Sequence, residues 1–191
     1  MEECKELFED GDFIVEHLLQ SPKNLEMIQS FSVGKNATGL EMFLKEVAET
    51  EENEKQSRTY LVKDRFTGEL VCYFSLRTGL VTLQVEDEAF DSLSAVELSN
   101  FAMNQSYKAT HPDVQKGGAY IFKRFILPIA DYVSQFIGVS TLYIYALPEE
   151  KLISHYKKMG FARLPPEQEK FVQNHVKPKY DDGCIFMYQT I

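Results

Sequence analysis

The segment Gln115-Lys116-Gly117-Gly118-Ala119-Tyr120 has residue types suited to holding an anion. It stands between a strand-like run, Val96 to Met103, and an amphipathic run opening at Tyr120. Glycines let a backbone approach a ligand closely and adopt positive φ. The first turn of a helix adds unpaired N–H groups and a partial positive charge. Such a turn suits a pyrophosphate, with Lys116 adding charge and Lys123 and Arg124 either adding charge or lining an exposed helix face. A Gly-Gly pair alone reads equally well as a plain loop-to-helix turn. His17, His111 and His175 have no spaced partners, and Cys4, Cys72 and Cys184 form no C-x-x-C pair. That pattern argues against a metal site and against a disulfide framework.

The elements that must position this turn can be read from periodicity. Leu40, Phe43, Leu44 and Val47 recur at helical steps, and the polar stretch Glu49 to Gln56 ends that helix in a loop. Tyr60-Leu61-Val62-Lys63 and Leu70 to Leu76 are β-prone, joined by Asp64-Arg65-Phe66-Thr67-Gly68-Glu69, whose Asp, Thr and Gly suit a hairpin. Val96 to Met103 reads as a strand with Glu97, Ser99, Phe101 and Met103 on one face. A loop over Lys108 to Val114 leads to the glycines. Tyr120, Ile121, Phe122, Phe125, Ile126, Ile129, Val133 and Phe136 then predict an amphipathic helix, which Pro128 should kink or divide and Gly138 should close. Thr141 to Tyr145 predicts a short strand, Glu149 to Lys158 a helix ending at Gly160, and Gly183 to Tyr188 a terminal strand. The order strand, hairpin, strand, glycine turn, helix, strand, helix, strand gives a mixed α/β sheet.

Length and composition bound the rest. The 191 residues fit one domain, 1–191, and no apolar run approaches the ~20 residues of a membrane span. The N-terminus lacks the basic-then-apolar order of a signal peptide, so a cytoplasmic protein is expected, with no membrane partner. A net charge of −9 disfavours nonspecific nucleic-acid binding. The charge is uneven: residues 1–105 carry 9 Lys+Arg against 21 Asp+Glu, whereas 106–191 carry 11 against 8. Either this is solvated surface or the basic half handles an anionic ligand.

The stretch Tyr143-Ile144-Tyr145-Ala146 into Leu152-Ile153-Ser154-His155-Tyr156-Lys157-Lys158-Met159-Gly160-Phe161 resembles the GNAT acetyltransferase superfamily, whose second cofactor-contacting region commonly ends in Tyr-x-x-x-Gly-Phe. The glycine turn is similar to the family's Gln/Arg-x-x-Gly-x-Gly/Ala. Two registers compete: Gln115 to Tyr120 keeps the Gln but ends on Tyr, and Val114 to Ala119 keeps Gly-x-Ala but loses the Gln. Phe31 to Gly34, Leu40 to Leu44, Ala48, Thr59 to Val62 and Tyr73 to Leu76 look like the branch that includes acetyltransferase toxins of toxin–antitoxin pairs. The likeness spans roughly residues 31 to 161, and about 165–180 reads as an insertion before the last strand.

The resemblance implies the acyl-CoA N-acyltransferase fold, an α+β arrangement with a mixed, mostly antiparallel central sheet flanked by helices. It implies direct acetyl transfer from acetyl-CoA to an amine, without a metal. Backbone N–H groups at Phe101, Ala102 and Met103 would polarise the thioester carbonyl. Amides of Gln115, Lys116, Gly117, Gly118, Ala119 and Tyr120 would hold the cofactor. Tyr156 takes the family's general-acid position, and Glu97 that of the general base in some members, against the alternatives of a packed tyrosine and a solvated strand-end carboxylate. His155, next to Tyr156, points about 100° away and reads as surface or packing. Three functions remain open at this level: N-acetylation of a primary amine on a small molecule or protein, toxin-like acetylation of aminoacyl-tRNA, and a non-catalytic acyl-CoA-binding regulatory module. The charge balance is awkward for tRNA without excluding it, and a homodimer is allowed.

Overall fold

A computed structural model describes residues 6–86, 89–112, 117–175 and 183–191. The chain divides into two compact units, one of Met1–Arg77 with Ser99–Pro128 and one of Thr78–Leu98 with Ile129–Ile191. Among the described residues, six strands pair in the order β1 to β6: β1 (Phe13–His17), β2 (Arg58–Asp64), β3 (Leu70–Glu86), β4 (Ala89–Met103), β5 (Thr141–Ala146) and β6 (Ile185–Thr190). The β1–β2, β2–β3 and β5–β6 ladders are antiparallel, and β4–β5 is parallel. The mixed, helix-flanked sheet expected from the sequence is therefore present.

In the first unit, α1 (Pro22–Met27) is followed by α2 (Thr38–Met42), a π-helical turn Phe43–Val47 and α3 (Ala48–Asn53). Leu44 and Ala48 of this run, with Leu18, Ile28 and Phe31 from the turns that precede it, bury against Leu61, Leu70, Tyr73 and Ala102 of the strands. The hairpin turn forms as its residues predict. Asp64 Oδ1 accepts from the amides of Phe66 and Thr67, and Gly68 takes φ +74°. Of the loop expected over Lys108 to Val114, Asp113 and Val114 lie outside the described residues, and Lys108 to Thr110 belong instead to a helix, α4 (Gln105–Thr110). Its cause is Asn104, whose side chain accepts from Ser106 N at the helix start, a capping signal that a reading for loops passes over.

The glycine pair opens α5 (Gly117–Ile121), which runs through a π-helical turn at Phe122–Ile126 into α6 (Leu127–Ser134). Pro128 neither ends this helix nor divides it. A proline ring clashes with the carbonyl four residues back, here that of Arg124. The wide turn, in which Leu127 N–H reaches Phe122 O, falls where that clash would arise. The helix stops at Ser134, four residues short of Gly138.

The second unit has its own core of Val81, Ala95, Tyr143, Val172 and Phe186. In it lie α7 (Glu150–Lys158) and α8 (Pro166–His175), the latter within the segment read as an insertion. Gly160, at φ +103°, closes α7: its N–H reaches Lys157 O, and Phe161 N–H reaches Tyr156 O. A side chain is strained at that φ, so this cap requires glycine. Among the described residues no helix is long and apolar enough to cross a membrane.

Candidate active site

The β4 strand carries two groups of candidate residues. At its C-terminal end Phe101 and Met103 are half-buried, while Ala102 is buried in the first unit's core. This end is anchored by Asn104. Its Nδ2 donates to Leu70 O, its Oδ1 accepts from Ser32 N, and its own N–H reaches Val71 O. Asn104 was not singled out from the sequence, although an asparagine ahead of a serine-containing turn is a capping signal that could have found it.

Farther back on β4, Glu97 is not the solvated carboxylate of a strand end. Only 3% of it is exposed, and Tyr143 Oη donates to its Oε2 at 2.8 Å. The two residues face each other in the parallel β4–β5 ladder, whose register pairs Ala95 with Thr141, Val96 with Leu142 and Glu97 with Tyr143. That register ends at Glu97 and Tyr143, whereas β4 continues to Met103 and β5 to Ala146.

Tyr156 lies on α7 and is 8% exposed, its ring edge-on to Phe161 at 5.6 Å between centroids. Among the described residues its hydroxyl forms no hydrogen bond, and burial pushes its pKa up to about 12. Its phenol is therefore fully protonated at neutral pH, the state that a general acid requires. The Tyr-x-x-x-Gly-Phe pattern has a structural meaning, because the backbone bond from Phe161 to Tyr156 and the positive φ of Gly160 fix the helix end that carries the tyrosine.

The glycine turn is described in part. Gln115 and Lys116 lie outside the described residues. Gly117 is buried, Gly118 and Ala119 are half-buried and Tyr120 is exposed. Tyr120, which takes the position of the family's Gly or Ala in the Gln115 register but not in the Val114 one, directs its hydroxyl to Asp10 Oδ2 at 2.7 Å and its ring to Phe13. Arg124 donates to Glu9 O and pairs with Asp10 at 3.7 Å, so its charge is already engaged. Lys123 is exposed. Burial alone would raise the Asp10 pKa, but the Tyr120 phenol and the Phe13 and Asp12 amides outweigh it and hold the carboxyl below its usual value. What Tyr120 can offer a phosphate is thus its backbone amide.

No family model and no curated relative matches the sequence. Solved structures do match it. An AtaT toxin with a tyrosine-to-phenylalanine mutation, bound to the C-terminus of the antitoxin AtaR and acetyl-CoA, has a TM-score of 0.65 at 20% identity, over 94% of this chain and 93% of that one. AtaT complexed with acetyl-methionyl-tRNAfMet gives 0.66 at 17% identity, over 94% and 95%. A tyrosine-to-phenylalanine mutant of KacT gives 0.63 at 16%, over 94% and 95%.

The chain has the GNAT fold.

Within the GNAT fold of this chain, Phe101 to Met103 end β4, the glycines open a helix, and Tyr156 rides the helix after β5. One residue near Glu97 escaped the sequence reading. Gly79 lies inside β3, and a Cβ there would stand 2.2 Å from Tyr143 Oη and 2.5 Å from Cε1. An isolated glycine within a strand pattern signals close approach, and Arg77-Thr78-Gly79-Leu80-Val81 carried that signal.

Proposed function

We propose that the protein is an acetyl-CoA-dependent N-acetyltransferase acting on a primary amine by direct transfer. The observation that carries this reading is the ending of the β4–β5 register at Glu97 and Tyr143, in a chain whose solved neighbours include a toxin bound to acetyl-CoA. Past that rung, the Phe101, Ala102 and Met103 segment of β4 would supply an amide to the thioester carbonyl. Such a donor stabilises the oxyanion of a tetrahedral intermediate. The amides from Gln115 to Tyr120 would hold the pyrophosphate. Glu97 would take the proton of the attacking amine, and Tyr156 would serve the departing sulfur.

The acidity of Tyr156 sets how it acts. At about 12 its phenol is a weaker acid than a thiol near ~8.5, so it does not hand over its proton in advance. It would donate a hydrogen bond to the sulfur as negative charge builds there, with the proton crossing late, as the C–S bond breaks. Tyrosine-to-phenylalanine mutants of both AtaT and KacT have been made, a substitution that removes one phenol hydroxyl.

One neighbour bears on the choice of acceptor. AtaT is found with acetyl-methionyl-tRNAfMet, which favours the α-amine of an aminoacyl-tRNA as a second, finer reading. Against it stands the acidic balance of residues 1–105. Calorimetric titration with acetyl-CoA, followed by CoA-thiol release with spermidine, a lysine-containing peptide and methionyl-tRNA, tests both readings. Thiol release with any acceptor supports the acetyltransferase. Release with methionyl-tRNA that falls steeply with added salt selects the tRNA reading. Binding without release leaves a regulatory acyl-CoA module, and absence of binding overturns the proposal.

A further inference from the structure

Three adjacent strands place a hole, a carboxylate and a phenol together in the second unit. Gly79 on β3 has no side chain, Glu97 on β4 is buried, and Tyr143 on β5 lays its hydroxyl against Gly79 while donating to Glu97. Gly79 is not among the residues with positive φ, so the backbone does not demand glycine there. Space does, because a Cβ would meet Tyr143 Oη at 2.2 Å, Cε1 at 2.5 Å and Cζ at 2.7 Å. The ring is held on its other sides by Tyr145, 6.0 Å away between centroids, and by Phe186 at 5.5 Å, so it has no slack to absorb an added methyl.

Packing alone does not explain this arrangement. A buried carboxylate held by a phenol contributes little to stability that an apolar pair of the same volume would not also supply. What the pair adds is a fixed direction for the carboxylate, at the last rung of the β4–β5 ladder.

We infer that Tyr143 is a positioning residue for Glu97, and that Gly79 is the seat that keeps its phenol there. The inference rests on the proposed role of Glu97 as the acceptor's base. In the step itself the amine nitrogen forms a bond to the acetyl carbon and passes its proton to the Glu97 carboxylate. The C–S bond breaks and sulfur takes the proton of Tyr156. Proton exchange with water then returns both side chains to their starting state. Tyr143 exchanges no proton in this step. It occupies Oε2 and so fixes the rotamer of the carboxylate.

The test uses the full-length protein, acetyl-CoA, and methionyl-tRNA or spermidine as acceptor. For Tyr143→Phe, which deletes only the hydroxyl, kcat is expected to fall about tenfold or more with the KM for acetyl-CoA unchanged, the loss that follows removal of one hydrogen bond to a charged group. Gly79→Ala is expected to give the same split by pushing the phenol away. In a Tyr143→Leu background, which removes the ring, Gly79→Ala should cost nothing further. Thermal melting and calorimetric binding of acetyl-CoA are measured on every variant, so that a folding defect is seen as such. If Tyr143→Phe keeps its kcat, or if the Gly79→Ala loss persists undiminished in the Tyr143→Leu background, the positioning role is refuted. If Glu97→Gln retains full turnover with either acceptor, the reading of Glu97 as base fails, a different result from loss of the Tyr143 effect alone.

Discussion

Replacing Tyr156 with phenylalanine should move stability and activity in opposite directions. The hydroxyl is attached to a residue only 8% exposed, and among the described residues it finds no hydrogen-bond partner. Because no described protein group holds that hydroxyl and the ring is largely buried, its removal is neutral to stabilising, here by up to about 1 kcal/mol. For a chain of this size that is a rise in Tm of no more than about 4 °C. If the same proton serves the leaving sulfur, kcat should fall by about 10² to 10⁴.

The pH dependence adds a second sign. Burial raises the folded-state pKa of Tyr156 to about 12, against about 10 unfolded. Its contribution to stability is thus fully present below pH ~10 and is lost as the pH rises through ~12, about 3 kcal/mol in all at 1.36 kcal/mol per unit. Tyr156→Phe lacks that titration, so its stability advantage over the parent should widen by up to this amount between pH ~10 and ~12. Urea melts at neutral and alkaline pH, paired with CoA-release rates, measure all three quantities. A variant destabilised at pH 7 would mean that the hydroxyl has a partner. Unchanged kcat would remove Tyr156 from the chemistry.

Two further substitutions probe supports of the site, and a third probes a buried network of the first unit. Gly160→Ala forces a Cβ onto φ +103°, with Gln189 Oε1 only 3.1 Å away but able to swing aside; backbone strain of about 1 to 3 kcal/mol should lower Tm by several degrees, and an unchanged Tm would refute the cap. Tyr120→Phe deletes the bond to Asp10, which should cost about 1 kcal/mol in urea denaturation while leaving acetyl-CoA affinity intact by calorimetry. A loss of affinity would place the Tyr120 hydroxyl in the cofactor cradle. The fully buried Glu52 side chain accepts from Thr59 N, from Arg58 at 2.8 Å and from His17 Nε2 at 2.8 Å. Glu52→Gln removes the charge from that network, and the urea midpoint should drop by the equivalent of about 3 kcal/mol.

Much of the site's framework was legible because its signals are local. The hairpin at Asp64 to Glu69, the helix opening at the glycines and the cap at Gly160 each depend on a few neighbouring residues. The long strands were legible only in their apolar parts. β3 was recognised over Leu70 to Leu76 and β4 over Val96 to Met103, yet they continue to Glu86 and begin at Ala89. In those extensions Leu80, Val85 and Phe90 are exposed while Val81 and Ala95 are buried, so hydrophobicity does not mark the inner face. β1 and α8 were not read at all. β1, only five residues long, lies next to acidic and polar residues, and α8 has a weak apolar face.

The role of Glu97 shows where local reading stops. Its neighbours Val96 and Leu98 turn to the opposite face of the strand. The partner that covers it, Tyr143, stands forty-six residues on, and the two meet only because β4 and β5 pair in parallel over three rungs. Parallel pairing needs a long crossover and leaves no turn from which register can be read. The space that admits the phenol comes from a third strand, at Gly79. The carboxylate's partner thus depends on the register of three strands at once, and one rung of slippage would turn Tyr143 to the other face and take its phenol away from Glu97. For this reason Gly79→Ala is the sharpest probe of the site, since it perturbs the carboxylate's partner without altering either member of the pair.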